Sequence, residues 1–176
     1  MFNDYLNHLK AVHMNKQAVT EQYSVIRRFL KAPKDGRLLD IGTGSDELLQ
    51  KLSDKGLDLY GVDISAADRE RSIDEIALMG MTSIEELPYH DGFFDCVTTL
   101  HTQTLWEDKK KAFSEILRVL KPGGQLLCVF TFDSASGVGT PPRNFRAQAR
   151  EAGFTDVTVK VMRTEGAYLL IGEKPC

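Results

Sequence analysis

Two acidic residues and two glycines, spaced along two short apolar segments, carry the clearest chemical signal in this sequence. Asp40 interrupts the apolar run 38–41, which leads directly into Gly42-Thr43-Gly44. Asp63 ends a second apolar run about 20 residues after the glycines. Glycines in such a turn let a ligand approach the backbone closely, and an acid at the second position can accept both hydroxyls of a ribose. The pattern predicts a nucleotide-type ligand at a strand–turn–helix corner, although Asp63 could instead cap a helix.

The residues around the turn favour a cationic ligand over an anionic one. A dinucleotide site has a third glycine in Gly-x-Gly-x-x-Gly, and Glu47 stands at that position here. Asp46 and Glu47 would repel a pyrophosphate at the start of the following helix, whereas Asp40 suits a positive group. S-adenosylmethionine, which carries an ammonium and a sulfonium, is therefore favoured over NAD. An NAD-binding oxidoreductase is the rival interpretation, and NADH fluorescence would distinguish the two.

Five segments in order resemble the class I S-adenosylmethionine-dependent methyltransferases, in particular the small-molecule branch that includes the ubiquinone/menaquinone methyltransferases. The resemblance extends over about residues 37–174. The segments are Leu38-Leu39-Asp40-Ile41-Gly42-Thr43-Gly44, Gly61-Val62-Asp63-Ile64-Ser65, Ile84-Glu85-Glu86-Leu87-Pro88-Tyr89, Phe94-Asp95-Cys96-Val97 and Glu115-Ile116-Leu117-Arg118-Val119-Leu120-Lys121-Pro122-Gly123-Gly124.

The resemblance implies an α/β fold. We expect a Rossmann-like sandwich with a mostly parallel seven-stranded sheet, an antiparallel C-terminal hairpin and helices on both faces. We expect a single domain over residues 1–176, with an N-terminal helical lid at 1–36 and the core at 37–176. The N-terminal helices could also simply pack on the sheet.

The resemblance also implies the residues that contact S-adenosylmethionine and its product S-adenosylhomocysteine. Family members commonly have an Asp at the position of Ser83, where it bonds the adenine amino group, and the amide of the next residue contacts the ring. Ser83 can still accept a hydrogen bond, but a neutral hydroxyl binds more weakly than a carboxylate. The expected cofactor-binding residues are Asp40, Gly42, Thr43, Gly44, Asp63, Ile64, Ser83, Ile84, Thr99 and Leu100.

Two residues are candidates for a catalytic base at the carboxyl end of the sheet, where ligands of open α/β folds bind. His101 lies in the segment 99–106, which follows the fourth predicted strand, and Asp133 lies just past the fifth. The His pair frequent in the family would fall at Thr104-Leu105 and is missing. A lone His is often structural, so His101 could be either a catalytic base or a structural residue. Trp106 could either pack in the core or form a wall of the pocket.

Hydrophobic periodicity predicts the remaining elements. Helices are expected at 2–13, from 16 to about 30, 65–76, 109–120 and 144–152. Strands are expected at 77–81, 94–99 and 125–132, with a hairpin formed by 155–161 and 167–172. Pro122-Gly123-Gly124 is expected to end the fourth of these helices.

Composition and motifs narrow the kinds of partner that this protein is expected to bind. The 22 Lys and Arg residues are outnumbered by 25 Asp and Glu residues, so the strongly basic balance of a nucleic-acid-binding domain is missing. The motif of amino methyltransferases acting on nucleic-acid bases, Asn/Asp-Pro-Pro-Tyr/Phe, is also missing. We therefore expect a small-molecule methyl acceptor and no nucleic acid. The alternative is a non-catalytic methyltransferase-like protein that binds the cofactor or serves a partner.

The cysteines and the termini favour the cytoplasm. Cys96, Cys128 and Cys176 have no metal-ligand spacing and form no even disulfide set. Cys96 and Cys128 are expected in core strands and Cys176 is expected to be exposed, which suits a reducing compartment. The sequence shows no signal-peptide pattern and no apolar run approaching the roughly 20 residues that span a membrane. No metal is expected, and the oligomeric state cannot be deduced.

Overall fold

A mixed β-sheet forms the centre of the computed structural model. The structure describes residues 16–44, 47–63, 71–73, 76–81, 83–102, 106–131 and 144–176. The strands are β1 (Arg37–Ile41), β2 (Asp58–Asp63), β3 (Arg71–Ile73), β4 (Ile76–Gly80), β5 (Phe94–Leu100), β6 (Leu120–Thr131), β7 (Thr155–Met162) and β8 (Ala167–Glu173). The helices are α1 (Lys16–Phe29), α2 (Glu47–Leu52), α3 (Lys109–Val119) and α4 (Phe145–Glu151), and a short 3-10 helix (Ser53–Lys55) follows α2.

The strand order is β3-β4-β2-β1-β5-β6-β8-β7. Strands β4, β2, β1, β5 and β6 are parallel to one another, and β8 and β7 continue the sheet as an antiparallel hairpin. These seven strands confirm the predicted Rossmann-like arrangement. The short strand β3 adds an eighth, antiparallel to β4 at one edge.

Helices cover both faces of the sheet, as expected. Neighbouring strand residues point to opposite sides, so an apolar run along a strand has to be buried on both faces. Leu38 packs with α1 and α2 on one face, whereas Leu39 packs with α3 and α4 on the other. The α1/α2 face buries Val25, Ile26, Leu48, Leu49, Leu52, Cys96 and Leu127. The α3/α4 face buries Val97, Ala112, Phe113, Ile116, Phe145, Ala149 and Leu126. Cys96 and Cys128 are buried and Cys176 is exposed, which confirms those three predictions.

Helix α3 shows how local sequence produces one of these faces. Asp108 caps its start, since its carboxylate accepts hydrogen bonds from the backbone N–H groups of Lys110 at 3.0 Å and Lys111 at 3.1 Å. Apolar residues then recur three or four positions apart, so that one stripe faces the sheet. The helix ends at Val119, and the chain enters β6 at once.

Two predicted elements were wrong in part. The helix expected at 65–76 does not form at residues 71–73, which are strand β3, while residues 64–70 and 74–75 lie outside the described part. Pairing with β4 stabilises an extended conformation there, although the local sequence is polar and helix-favouring. Strand β6 also begins earlier than expected and includes Pro122-Gly123-Gly124.

Strand β7 forms the other edge of the sheet and is irregular. Its register with β8 shifts between Thr155 and Thr158, and Asp156 has a positive φ of 49°. Lys160 and Val161 are exposed on this strand. Among the described helices, none is long and apolar enough to cross a membrane.

Candidate functional site

The carboxyl ends of four parallel strands bring the predicted ligand-binding residues to one edge of the sheet. The chain proceeds from β1 to β2 and β4 on one side and to β5 and β6 on the other. The strand order therefore reverses between β1 and β5, and a crevice opens at such a point in open α/β sheets. Gly42-Thr43-Gly44 follows β1, Asp63 ends β2, Ser83 and Ile84 follow β4, and Thr99 and Leu100 end β5.

The glycine turn is held against the end of β2 by three backbone N–H groups, two that donate to a backbone carbonyl and one that donates to a side-chain carboxylate. The N–H of Gly42 donates to the carbonyl of Val62 at 2.7 Å, and that of Thr43 to the same oxygen at 3.3 Å. The N–H of Gly44 donates to the Asp63 carboxylate, Oδ2, at 2.9 Å. Gly42 and Gly44 have φ values of 78° and 55°, a region that favours glycine. The turn and Asp63, which the sequence analysis assigned to the same ligand, are therefore in direct contact in the structure.

Gly61 is a third glycine that the fold requires, and the sequence analysis quoted it within a motif without giving it a role. A Cβ on Gly61 would lie 2.6 Å from side-chain carbons of both Thr43 and Leu78. The turn after β1 thus packs directly on the backbone of β2. A glycine inside an apolar strand was the available signal, because it often marks close backbone approach.

Asp40 is a buried carboxyl in the middle of the sheet. Its exposed fraction is 3%, and its Oδ1 accepts a hydrogen bond from the Thr98 hydroxyl of β5 at 2.7 Å. The pKa of Asp40 is raised to about 7, chiefly by burial; the Thr98 hydrogen bond opposes the rise and the nearby charge of Asp63 adds to it. A positive charge bound nearby would favour the ionised form of this carboxyl and lower its pKa. Thr98 was missed because only the strand register places it beside Asp40.

The described residues fit S-adenosylmethionine. A Cβ on Gly44 would meet no atom within 4 Å, so the outer side of the turn is open to a ligand. Asp63 can serve the ribose and Asp40 can serve the cationic end. Within the described ranges, no group of three or more His, Cys, Asp or Glu residues is placed to hold a metal ion.

Ser83 is already engaged with a neighbouring carboxylate. Its hydroxyl donates a short hydrogen bond to Oε2 of Glu85, and the Glu85 N–H donates back to Oγ of Ser83 at 3.1 Å. Oε1 of Glu85 accepts from the N–H of Asp108 at 3.1 Å. A carboxylate is therefore present beside Ser83, although it comes from two residues later. Ile84 is buried.

The end of β5 carries a small hydroxyl network. Thr99 and Thr102 are both buried, and their hydroxyls share a short hydrogen bond. The indole N–H of Trp106 donates to Oγ1 of Thr102 at 3.1 Å. Trp106 is 3% exposed, and its ring contacts Phe113 and Phe145 at centroid distances of 5.2 and 5.6 Å. Trp106 thus belongs to the core, while Leu100 is partly exposed.

His101 faces helix α1. Its Nε2 forms a short hydrogen bond with Oε1 of the buried Gln22, whose Nε2 donates to the carbonyl of Glu165 at 3.3 Å. Because the Gln22 oxygen can only accept, His101 carries its proton on Nε2, and Nδ1 has a free lone pair. Nδ1 is buried without a hydrogen-bond partner in the described part of the chain. Burial lowers the pKa of His101 to about 4, so the ring is neutral near pH 7.

Helix α1 lies close to the cofactor corner. Burial raises the pKa of Tyr23 to about 12, and the carboxylates of Glu47 and Asp40 contribute to the rise. Val25 and Ile26 are buried against the sheet, so this helix packs on the core. Its role as a lid stays a prediction, and residues 1–15 lie outside the described part.

Several predicted site features cannot be placed. Ile64 and the base candidate Asp133 lie outside the described residues, as do positions 45–46 and 104–105. Gln22, by contrast, is a site residue that the sequence analysis missed. A polar residue next to the apolar positions of α1 was its only signal.

Comparison with known proteins agrees with this geometry. The family model described as "Methyltransferase domain" matches residues 39–128. The chain is 27% identical over 150 residues to the "Uncharacterized methyltransferase YdaC" of Bacillus subtilis, an alignment that covers 78% of this chain and 83% of that protein. It is 33% identical over 138 residues to the "Ubiquinone/menaquinone biosynthesis C-methyltransferase UbiE" of Pectobacterium carotovorum, which covers 70% of this chain and 52% of that one. The chain thus spans about half the length of this second relative.

A solved structure shows the same fold. The Haemonchus contortus phosphoethanolamine N-methyltransferase 2 in complex with S-adenosyl-L-methionine superimposes with a TM-score of 0.67 at 18% identity, over 89% of this chain and 53% of that one. At this identity the likeness establishes the fold alone. The family match covers half of the chain and includes the glycine turn and Asp63. The chain therefore belongs to the class I S-adenosylmethionine-dependent methyltransferases.

Proposed function

We propose that this protein transfers a methyl group from S-adenosylmethionine to a small-molecule acceptor. The observation that carries the proposal is the bond between the Gly44 N–H and the Asp63 carboxylate at the strand-order reversal. It holds the turn and the acid next to each other, which supports a nucleoside ligand bound between them. The net charge of −3 and the relative in ubiquinone/menaquinone biosynthesis support a small molecule as the acceptor. The cytoplasmic location stays a prediction.

When bound, S-adenosylmethionine supplies an already activated methyl group, so the main task of the chain is to align the acceptor. Well-oriented reactants can contribute on the order of 7–11 kcal/mol. A base is needed where the acceptor must lose a proton. In this proposal the neutral His101 receives a hydrogen bond from the acceptor through Nδ1, and Asp133 is the second candidate.

Calorimetric titration with S-adenosylmethionine and S-adenosylhomocysteine tests the cofactor half of the proposal. Micromolar binding of either compound is the expected result. NADH, titrated in parallel and followed by its fluorescence, is the control and should not bind. An absence of binding up to millimolar cofactor would contradict the enzyme interpretation and favour the non-catalytic partner protein.

His101→Asn tests the acceptor half. Asn tolerates the left-handed backbone of residue 101, where φ is 59°, so the variant should fold. We expect formation of S-adenosylhomocysteine with phenol, amine and thiol acceptors to fall about 100-fold, while the dissociation constant for S-adenosylhomocysteine changes less than about threefold.

Asp133→Asn is assayed beside it. A loss confined to Asp133→Asn would transfer the base role to Asp133. Full activity of both variants would show that the reaction needs no base from these residues.

A further inference from the structure

We propose that Thr102 is a positioning residue, whose methyl group supports the cofactor turn and whose hydroxyl links that turn to Trp106. The proposal concerns cofactor binding and does not depend on whether, or to which acceptor, a methyl group is transferred. Thr102 is 5% exposed and follows β5 by two residues. It is one side chain with contacts on both the cofactor side and the aromatic core.

The methyl group lies against Gly42. A Cβ added to Gly42 would lie 2.3 Å from Cγ2 of Thr102, so this methyl occupies the space that a side chain at position 42 would fill. Gly42 has a φ of 78° and donates to the carbonyl of Val62. The turn is therefore held from two sides, by β2 through a hydrogen bond and by Thr102 through packing.

The hydroxyl group has a separate set of contacts. It shares a hydrogen bond with Thr99 and accepts the indole N–H of Trp106 at 3.1 Å. Trp106 packs on Phe113 of α3 and on Phe145, the first residue of α4. Because close-packed interiors transmit small displacements, a ligand that settles the glycine turn should alter the surroundings of the indole.

Trp106 provides a direct readout, since it is the one tryptophan in the sequence. Emission of this protein under selective excitation therefore reports on a single side chain that is hydrogen-bonded to Thr102. We expect saturating S-adenosylhomocysteine to change the intensity or wavelength of this emission. This signal is independent of turnover and of any acceptor.

Two variants separate the halves of the side chain. Thr102→Ser removes the methyl and keeps the hydroxyl, whereas Thr102→Val keeps a methyl and removes the hydroxyl. For Thr102→Ser we expect the dissociation constant of S-adenosylhomocysteine to rise about threefold to tenfold, from the loss of one buried methyl group, and the emission response at saturation to fall, because the contact between the turn and this side chain is lost. For Thr102→Val we expect a dissociation constant within about twofold of the wild type and an emission response reduced by about half or more.

Thr158→Val, on the exposed edge strand β7, is the matched control and should behave as the wild type in both measurements. Thermal unfolding followed by circular dichroism confirms that each variant is folded at the assay temperature. A purely structural role predicts that the dissociation constant follows the loss of thermal stability in both Thr102 variants.

Two results would overturn the whole proposal, and a third would overturn its hydroxyl half. One is an equal weakening of binding in Thr102→Ser and Thr102→Val. The other is an unchanged Trp106 emission in the wild-type protein at saturating S-adenosylhomocysteine. A change of emission that persists in full in Thr102→Val would likewise remove the link through the hydroxyl.

Discussion

Asp63 holds the glycine turn and is also the residue predicted to bind the ribose. Oδ2 accepts the Gly44 N–H, which fixes the turn, and the residue ends β2 at the edge where the ribose of the cofactor is expected. It is 6% exposed. Hydrogen bonds to a charged, buried acceptor contribute about 1.5–3 kcal/mol, so this carboxylate should dominate the affinity for the nucleoside part.

We predict that Asp63→Ala weakens S-adenosylhomocysteine binding about tenfold to a hundredfold, because charged hydrogen bonds are lost. Isothermal titration calorimetry measures the change. Asp58→Ala is the control, since Asp58 is exposed at the opposite end of the same strand. Asp63→Asn should bind with intermediate affinity, because its side-chain oxygen can still accept the Gly44 N–H. Wild-type affinity of Asp63→Ala would exclude the ribose role.

At the scale of elements, the turn between β1 and α2 depends on two glycines for different reasons. Both have positive φ, which strains most residues that carry a Cβ. Only Gly42 also lacks space, since its Cβ would clash with Thr102, whereas a Cβ on Gly44 would be free. The two positions therefore allow backbone strain and overpacking to be separated.

We predict that Gly42→Ala lowers the free energy of unfolding by about 2–4 kcal/mol, the sum of left-handed strain and overpacking. Gly44→Ala should cost about 1–2 kcal/mol, from the backbone alone. Urea denaturation followed by circular dichroism gives both values. Equal losses in the two variants would mean that Thr102 moves aside without cost.

The elements that local sequence determines were predicted well. Leu38, Leu39 and Ile41 form a buried strand, as expected for a short apolar run, and Asp108 to Val119 has the cap and stripe of a helix. Strand β3 was predicted as helix because its polar sequence carries little strand signal, and only pairing with β4 makes it extended.

The site was predictable in its residue types and not in its connections. Asp40, the glycines and Asp63 stand out by type and spacing. Thr98 and Thr102 do not, because their contacts join residues from different strands and loops. Gln22 lies 79 positions from His101 in the sequence, yet their side chains bond. No local pattern contains that information.

At the scale of the whole molecule, two buried groups give opposite pH dependences of stability. The folded-state pKa of Asp40 is raised from 3.8 to about 7, so between these values the folded state binds more protons than the unfolded state, and stability falls as pH rises. The folded-state pKa of His101 is lowered from 6.5 to about 4, so the unfolded state binds more protons there, and stability rises with pH. The two effects should largely cancel between pH 4.5 and 6.

We predict a nearly flat free energy of unfolding across that range for the wild type. Asp40→Asn should make stability rise with pH, and His101→Asn should make it fall, each by up to about 1.4 kcal/mol per pH unit. Urea denaturation at several pH values is the measurement. The carboxyls whose pKa is lowered, such as Asp95 and Glu115, affect the free energy of unfolding mainly at lower pH. Parallel curves for all three proteins would contradict the opposing assignments.

The irregular edge strand β7 has a consequence for self-association. A straight, apolar edge would offer its free backbone groups to a second sheet, and this is a route to aggregation. Here the register shift between Thr155 and Thr158 and the positive φ of Asp156 distort the strand, and the exposed Lys160 would have to be desolvated by an incoming strand. Pairing of a second sheet with this edge is therefore disfavoured. The exposed Val161 lies on the same strand, so its apolar side chain is not expected to promote self-association.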